Sequence, residues 1–280
     1  MIKLLASDLD GTIIDSNNEI TQDNIKAINK INREKTNFTI CTGKTYSMTK
    51  DICDKLNATY GIFGNGTQII NLKTGKEIVK NIIQNDQVIE CIKIANNNKL
   101  HVHIYTEDKL ISEQVLKYMA YRNYVLYSQK MNFEVVPSLI TFIKENKPHV
   151  LKLVISGEKD LKDIKTQIEK NKDVCAIQIK KYNEYKDNII NQEYEYLDIV
   201  PKNVTKYEAI QKLSAFLEIN KEEIMAVGDN INDIEMIKNA GIGVAVGNSY
   251  DEVKKVASYV TEKNVTDGGF AEAVYKFIEL

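Results

Sequence analysis

The chain has 280 residues, enough for two modest domains, with 43% hydrophobic and 27% charged residues, the balance of a folded protein with a sizeable core. A net charge of -2 gives no basic field to attract nucleic acid or an anionic membrane, so a small-molecule partner is expected. No apolar stretch reaches the roughly 20 residues of a membrane span, the start "MIKLLASDLD" turns acidic too early for a secretory leader, and the four cysteines form no C-x-x-C pair; a cytoplasmic protein with reduced thiols is expected.

In chain order, residues 2–6 form an apolar run that reads as a buried strand ending in "SDLDGTI". In a strand, residues two apart share a face, so Asp8 and Asp10 aim together beyond its carboxyl end. Residues 21–32 have helical spacing, "NFTIC" reads as a second strand running into "TGKT", and residues 46–56 are amphipathic. A short strand enters "FGNGTQII", and "NLKTGKEIV" reads as a hairpin. Over residues 84–193 the character changes. "HVHIY", "FEVV", "VLKLVIS" and "VCAIQI" read as strands between helical stretches at 88–95, 113–122 and 161–168, which points to a separate α+β unit. For Tyr105, Tyr121 and His103 in this stretch, packing, surface and substrate-contact roles all stay open. The strand and helix rhythm is expected to return at "EYLDIV" and to continue through a helix at 206–217, the strand "IMAVG", "GVAV" and a C-terminal helix. The fold class is therefore α/β: a doubly wound parallel-sheet core formed by 1–83 and 194–280, interrupted by an α+β domain at 84–193.

Four polar signals fall at expected strand ends or helix starts. Asp8-Leu9-Asp10-Gly11-Thr12 suits either a glycine turn with solvated acids or a nucleophile beside a proton carrier, with a divalent metal offsetting their repulsion. Thr42-Gly43-Lys44 suits a helix cap or an anion site. Thr205 and Glu208 have capping-box spacing and put Lys206 in the first helical turn, where a cation opposes the helix dipole and a bound phosphate would relieve it. In "AVGDNINDIEMI", Asp229 and Asp233 stand four apart at a strand-to-helix junction with Asn232 beside them; they suit capping, or a Mg²⁺ site shared with Asp8.

Taken together, D-x-D-G-T, T-G, a helix-start Lys and G-D-x-x-N-D resemble the haloacid dehalogenase superfamily, specifically its Cof-like hydrolases (subfamily IIB, C2-type cap), over essentially the whole chain. "NGTQI" is similar to that family's N-G-A segment, and the stretch from "GVAVGNSYDE" to "GGFAEAV" to its C-terminal pattern. The resemblance implies a Rossmann-like core, an inserted cap domain, and a Mg²⁺-dependent phosphatase of small phosphorylated metabolites such as sugar or cofactor-like phosphates. It makes Asp8 the nucleophile that becomes an aspartyl phosphate and Asp10 the acid and base. Thr42, Gly43, Lys206 and Asn232 would bind phosphate; the Asp8 carboxylate, the Asp10 carbonyl and Asp229 would hold the metal, with Asp233 reaching it through water or standing behind its ligands. A phosphomutase or phosphotransferase of the same superfamily is the alternative, followed by a non-catalytic phosphometabolite-binding regulator. Lys44 stands where the family often has Arg, so contacts of that forked side chain do not carry over.

Overall fold

The apolar run at the start of the chain becomes β1 (Leu4–Ser7), all four of its residues buried, as suits a strand at the centre of a sheet covered on both faces. The computed structural model describes residues 1–17, 19–31, 35–114, 132–157, 160–182 and 193–278. β1 pairs in parallel with β2 (Asn37–Cys41) on one side and with β12 (Ile224–Gly228) on the other. Beyond β2 lie β3 (Tyr60–Phe63), parallel, and the antiparallel β4 (Gln68–Asn71) and β5 (Glu77–Lys80), which form the expected hairpin. Beyond β12 lie β13 (Ile242–Ala245) and β14 (Tyr259–Val260), both parallel. The eight-stranded order is thus β14-β13-β12-β1-β2-β3-β4-β5. The chain leaves β1 toward β2 and returns on the other side through β12, so β1 flanks the switch point where open α/β sheets bind ligands.

Helix Lys206–Phe216 packs Ala209, Ile210 and Leu213 into one cluster with Leu4, Ala6, Ile224 and Ala226 of the central strands. Helices Gln22–Lys30 and Gly269–Phe277 are tied through buried Asn24, which donates from Nδ2 to the Ile13 carbonyl and accepts the Ala271 amide at Oδ1. That one side chain satisfies two backbone groups that burial would otherwise leave costly.

A second unit carries a six-stranded sheet in the order β10 (Val174–Tyr182), β11 (Glu193–Pro201), β9 (Lys152–Ser156), β6 (His101–Tyr105), β7 (Lys109–Ser112), β8 (Asn132–Val135). Its pairs are antiparallel except β7 with β8. Helices Asn85–Asn97, Leu139–Asn146 and Lys162–Ile168 share a core with alternate residues of the strands, among them Val102, Ile104, Leu153, Ile155, Leu197 and Ile199. By contact, the compact units are Met1–Lys44, Thr49–Lys80 and Thr205–Leu280 against Thr45–Met48 and Asn81–Val204.

Here one expectation is corrected. "EYLDIV" does not resume the parallel sheet; it is part of β11, which pairs antiparallel with β9 and β10. Residues 196–200 are buried on both faces of the strand, and a strand buried on both faces has the continuous apolar look of a parallel one. Strand β7 and helix Leu139–Asn146 are additions to the expected elements. In the helical stretch expected at 113–122, Glu113 and Gln114 are not helical; the remainder, with Tyr121, lies outside the described residues. Among the described residues no helix is long and apolar enough to cross a membrane.

Leu4, wholly buried at the centre of the first unit's core, tests this packing. Leu4→Ala is expected to cost about 2–5 kcal/mol of unfolding free energy in denaturant titration. Val260→Ala, on the half-exposed edge strand, is expected to stay within about 0.5 kcal/mol.

Candidate active site

Asp8 follows β1 directly, its amide held by the Val227 carbonyl of the neighbouring strand at 2.9 Å. The register Ser7↔Val227 and Ser7↔Ile40 places Asp8 between the carboxyl ends of β12 and β2. The next residues turn sharply: the amides of Ile13 and Ile14 both return to the Leu9 carbonyl, and Gly11 sits at φ +80°. A side chain at Gly11 would be strained by that angle and would collide with Asp229 Oδ2, so the turn needs glycine twice over.

Lys206, in the first turn of its helix and 1% exposed, donates from Nζ to Asp8 Oδ1 and to Asp233 Oδ1, each at 2.7 Å. Its helix is capped by Thr205, whose hydroxyl accepts the Glu208 amide at 3.2 Å and donates to Glu208 Oε2 at 2.8 Å. The glutamate's return bond therefore reaches the hydroxyl rather than the backbone amide that the capping-box spacing predicts. Burial works against the Lys206 charge, yet the Asp233 and Asp8 carboxylates outweigh it and hold its pKa above the ordinary lysine range.

Asp229 stands just past β12, and a short turn, Ile231–Asp233, follows. Asp233 Oδ2 accepts the amides of Asp229 and Asn230 at 3.1 and 3.0 Å, while Asn230 caps the same turn. The two acids therefore do not line one helix face: Asp233 folds back to hold the backbone that carries Asp229. Asp229 Oδ1 accepts the Thr12 hydroxyl at 2.8 Å. Carboxylate oxygens of Asp8, Asp229 and Asp233 lie within 4.8 Å of one another.

This crowding has an electrostatic consequence. Burial pushes the Asp8 carboxyl up to about 7, with Asp233 and Asp10 adding to the rise and Lys206 opposing it. Burial, then Asp8 and Asp233, push Asp229 well above the carboxylate range, against Thr12 and Lys206. Four acids, the buried Asp8, Asp229 and Asp233 and the 29% exposed Asp10, stand with only two ammonium groups, those of Lys206 and Lys44, bonded among them. Oxygen donors clustered in this way suit a hard divalent cation. Asp8 and Asp229 fit as its direct carboxylate ligands; both oxygens of Asp233 are already engaged, so that residue fits an orienting role.

Lys44, buried and at the end of the "TGK" segment, donates to Asp10 Oδ1 at 2.6 Å. Its amide is held by Thr42 Oγ1 at 3.2 Å. Asn232 donates to Asn65 Oδ1 at 2.9 Å, and a side chain at Gly43 would press on that same Asn65 amide at 3.2 Å. Thus Asn232 lies alongside Asn65, next to Gly43, as a neighbour of the strand-end loops. Cys41, wholly buried beside them, has its thiol pushed up by burial and is a core residue.

Three contributors went unassigned in the sequence. Thr12 fixes Asp229, and its signal was already inside the D-x-D-G-T motif. Asn65, left-handed at φ 57°, orients Asn232; the Asn-Gly pair was its signal. Asn248 donates to the Gly11 carbonyl and accepts the Val265 amide, tying the β1 turn to the C-terminal segment; it lies within the "GVAVGNSYDE" stretch, which gave it no role of its own.

Comparison with known proteins finds relatives along the whole chain. A family model for haloacid dehalogenase-like hydrolases matches residues 5–274. A candidate phosphatase of Streptococcus pyogenes is 27% identical over 283 residues, covering 99% of this chain and 98% of its own. The Bacillus subtilis enzyme named 5-amino-6-(5-phospho-D-ribitylamino)uracil phosphatase is 24% identical over 268 residues, covering 95% of this chain and 92% of its own. The crystal structure of a haloacid dehalogenase-like hydrolase from Bacteroides thetaiotaomicron is 25% identical and superposes with a TM-score of 0.79, over 99% of this chain and 100% of that one. A match that runs from the first strand to the last helix takes in both units, and the chain belongs to the haloacid dehalogenase-like hydrolase family.

Proposed function

We propose that the chain is a Mg²⁺-dependent phosphatase of small phosphorylated metabolites, sugar phosphates or cofactor-like phosphates, working through an aspartyl phosphate. The observation that carries this is the buried ammonium of Lys206 held between Asp8 and Asp233, beside Asp229, at the carboxyl ends of the central strands. The Bacillus subtilis relative, whose name gives a phosphorylated ribitylaminouracil as its substrate, supports the substrate class.

Asp8 attacks phosphorus through a carboxylate oxygen, and the bond from phosphorus to the substrate oxygen breaks as Asp10 delivers a proton to that oxygen. Asp10 then takes a proton from the water that attacks the aspartyl phosphate, which frees inorganic phosphate and restores the Asp8 carboxylate. Lys206 balances charge on Asp8 and on the phosphoryl oxygens, while Thr42, the Gly43 amide and Asn232 hold those oxygens in place. Lys44, paired with Asp10, positions the proton carrier where the family often uses Arg. Asp8, the Asp10 carbonyl and Asp229 would hold Mg²⁺, with Asp233 behind them. When bound, the ion supplies positive charge against the phosphoryl group and the crowded carboxylates. We assign to the inserted unit, residues 84–193 as read from composition, the cap role of selecting among substrates.

Phosphate release from a panel of phosphorylated metabolites and an aryl phosphate is expected to need Mg²⁺ and to stop in excess chelator. Asp8→Asn is expected to reduce it by at least about 10³-fold while the circular dichroism spectrum stays unchanged. Substantial turnover by Asp8→Asn would overturn the covalent route.

A second expectation concerns stability and follows from the raised Asp8 pKa. The folded chain keeps the Asp8 proton up to about 7, whereas the unfolded chain releases it near the ordinary 3.8. The unfolded state therefore binds fewer protons between those values, and this group's contribution to stability falls as pH rises through that window. In chelator, the thermal midpoint of the wild type relative to Asp8→Asn is expected to fall from pH 4 to pH 7. The gain in midpoint on adding Mg²⁺ is expected to be larger at pH 8 than at pH 5. Equal gains at both pH values would count against the assigned ligands.

A further inference from the structure

Three successive residues after β3, Gly64, Asn65 and Gly66, all take positive φ, at 58°, 57° and 113°. Two are glycines, for which that region is open; Asn65 alone must hold a side chain there, and asparagine tolerates it better than most residues. All three are buried, so the turn is enclosed by what it touches. Left-handed backbone at a non-glycine residue persists where its surroundings hold it, and such places concentrate at functional sites.

Those surroundings are the loops assigned above to phosphate. The Gly64 amide donates to the Lys44 carbonyl at 2.9 Å and the Asn65 amide to the Thr42 carbonyl at 3.0 Å, which ties the turn to both ends of Thr42-Gly43-Lys44. The Asn65 side chain lies against Gly43, where a Cβ would come within 3.2 Å of its Oδ1 and Nδ2. A Cβ on Gly66 would sit 2.6 Å from the carbonyl of Thr205, the cap of the Lys206 helix. Finally, Asn65 Oδ1 accepts from Asn232 Nδ2 at 2.9 Å. One short turn thus touches the Thr42 loop, the start of the Lys206 helix and the Asn232 side chain, all within the first unit.

The bond to Asn232 has a chemical consequence. An asparagine amide can turn over to exchange its nitrogen and oxygen, and only the nitrogen donates to an anion. Asn65 Oδ1, an acceptor, selects the orientation in which the Asn232 nitrogen faces it. That nitrogen carries two N–H donors, so one goes to Asn65 and one is left for a phosphoryl oxygen. The reverse orientation would set two amide oxygens against each other.

We propose that Asn65 is a positioning residue for the phosphoryl group: it locks the Asn232 amide as a donor, while its turn sets the Thr42-Gly43 loop against the Lys206 helix. The assignment rests on the phosphatase reading in taking Asn232 as a phosphate contact.

Asn65→Gly in the full chain tests this, because glycine keeps the positive φ and removes only the amide. KM for an aryl phosphate and the calorimetric dissociation constant of inorganic phosphate, both with Mg²⁺, are each expected to rise about 3- to 10-fold, with kcat kept within about 2-fold. A double-mutant cycle with Asn232→Ala separates positioning from a merely structural role. When Asn65 acts through Asn232, the single losses of phosphate affinity do not multiply, and the double variant loses about as much as Asn232→Ala alone. Losses that multiply, or unchanged affinity in Asn65→Gly, would overturn the proposal. Should Asn65→Gly not fold, the wild type decides: the Asn232 side-chain amide resonance, assigned by its loss in Asn232→Ala, is expected to shift on adding inorganic phosphate, and the absence of a shift would overturn the proposal. Binding of inorganic phosphate without release from any phosphomonoester would overturn the phosphatase reading instead, and the cycle on inorganic phosphate would then decide the role of Asn65. A wild type that neither releases nor binds phosphate would overturn both.

Discussion

The ammonium of Lys206 is the constraint around which the first unit is arranged. A buried cation survives only with partners, and its two come from separate parts of the sheet, Asp8 after β1 and Asp233 after β12. That requirement makes β1 and β12 neighbours in function as well as in register, and it fixes where the helix carrying Lys206 begins. A lysine in a first helical turn meets the positive end of the helix dipole. The two carboxylates offset that conflict, and a phosphoryl group would complete the compensation. The glycines follow from the same crowding: a side chain at Gly11 would meet Asp229, and one at Gly228 would lie 2.6 Å from Asp233 Cβ.

Asp233 shows how such a site is stiffened. One of its oxygens faces the lysine and the other takes two backbone amides, so the carboxylate that neutralises Lys206 also fixes the strand-end backbone bearing Asp229. Thr12 holds Asp229 from the other side. The acids are thereby kept close against their repulsion by bonds that leave little freedom to relax. Burial first, and then the neighbouring carboxylates, raise the pKa of Asp8 and Asp229, so added positive charge at this place would be favourable.

How much of this could be read from the sequence depended on where the information lies. Asp8, Asp10, Asp229 and Asp233 lie in short motifs after strands of a parallel sheet, which gathers strand ends at one edge, and Lys206 was marked by its helix start, so their convergence was legible. Lys44 was legible as a departure from its family but not as the partner of Asp10, because that pair joins two loops 34 positions apart. Asn65 was quoted within its motif without a role, since its left-handed backbone and its bond to Asn232 are tertiary facts. "EYLDIV" failed for a different reason: burial on both faces removes the alternation that separates an antiparallel strand from a parallel one. "HVHIY" read correctly as a strand, yet nothing local tells that its two histidines face a buried Lys–Asp pair rather than solvent.

The two units concentrate polarity in different ways, and the contrast bears on selectivity. In the first, ionised groups stand at strand ends, where each phosphomonoester presents the same dianion and receives much the same attraction. Such binding lowers the barrier for any substrate that carries the phosphoryl group and therefore distinguishes poorly between substrates. Discrimination requires a partner whose absence leaves buried groups unpaired, and neutral hydrogen-bonding sites achieve this because a wrong substrate forfeits bonds that water cannot restore. Among the described residues of the second unit's sheet, polarity is instead buried within the face, in the Lys152–Asp198 ion pair and in the imidazoles of His101 and His103.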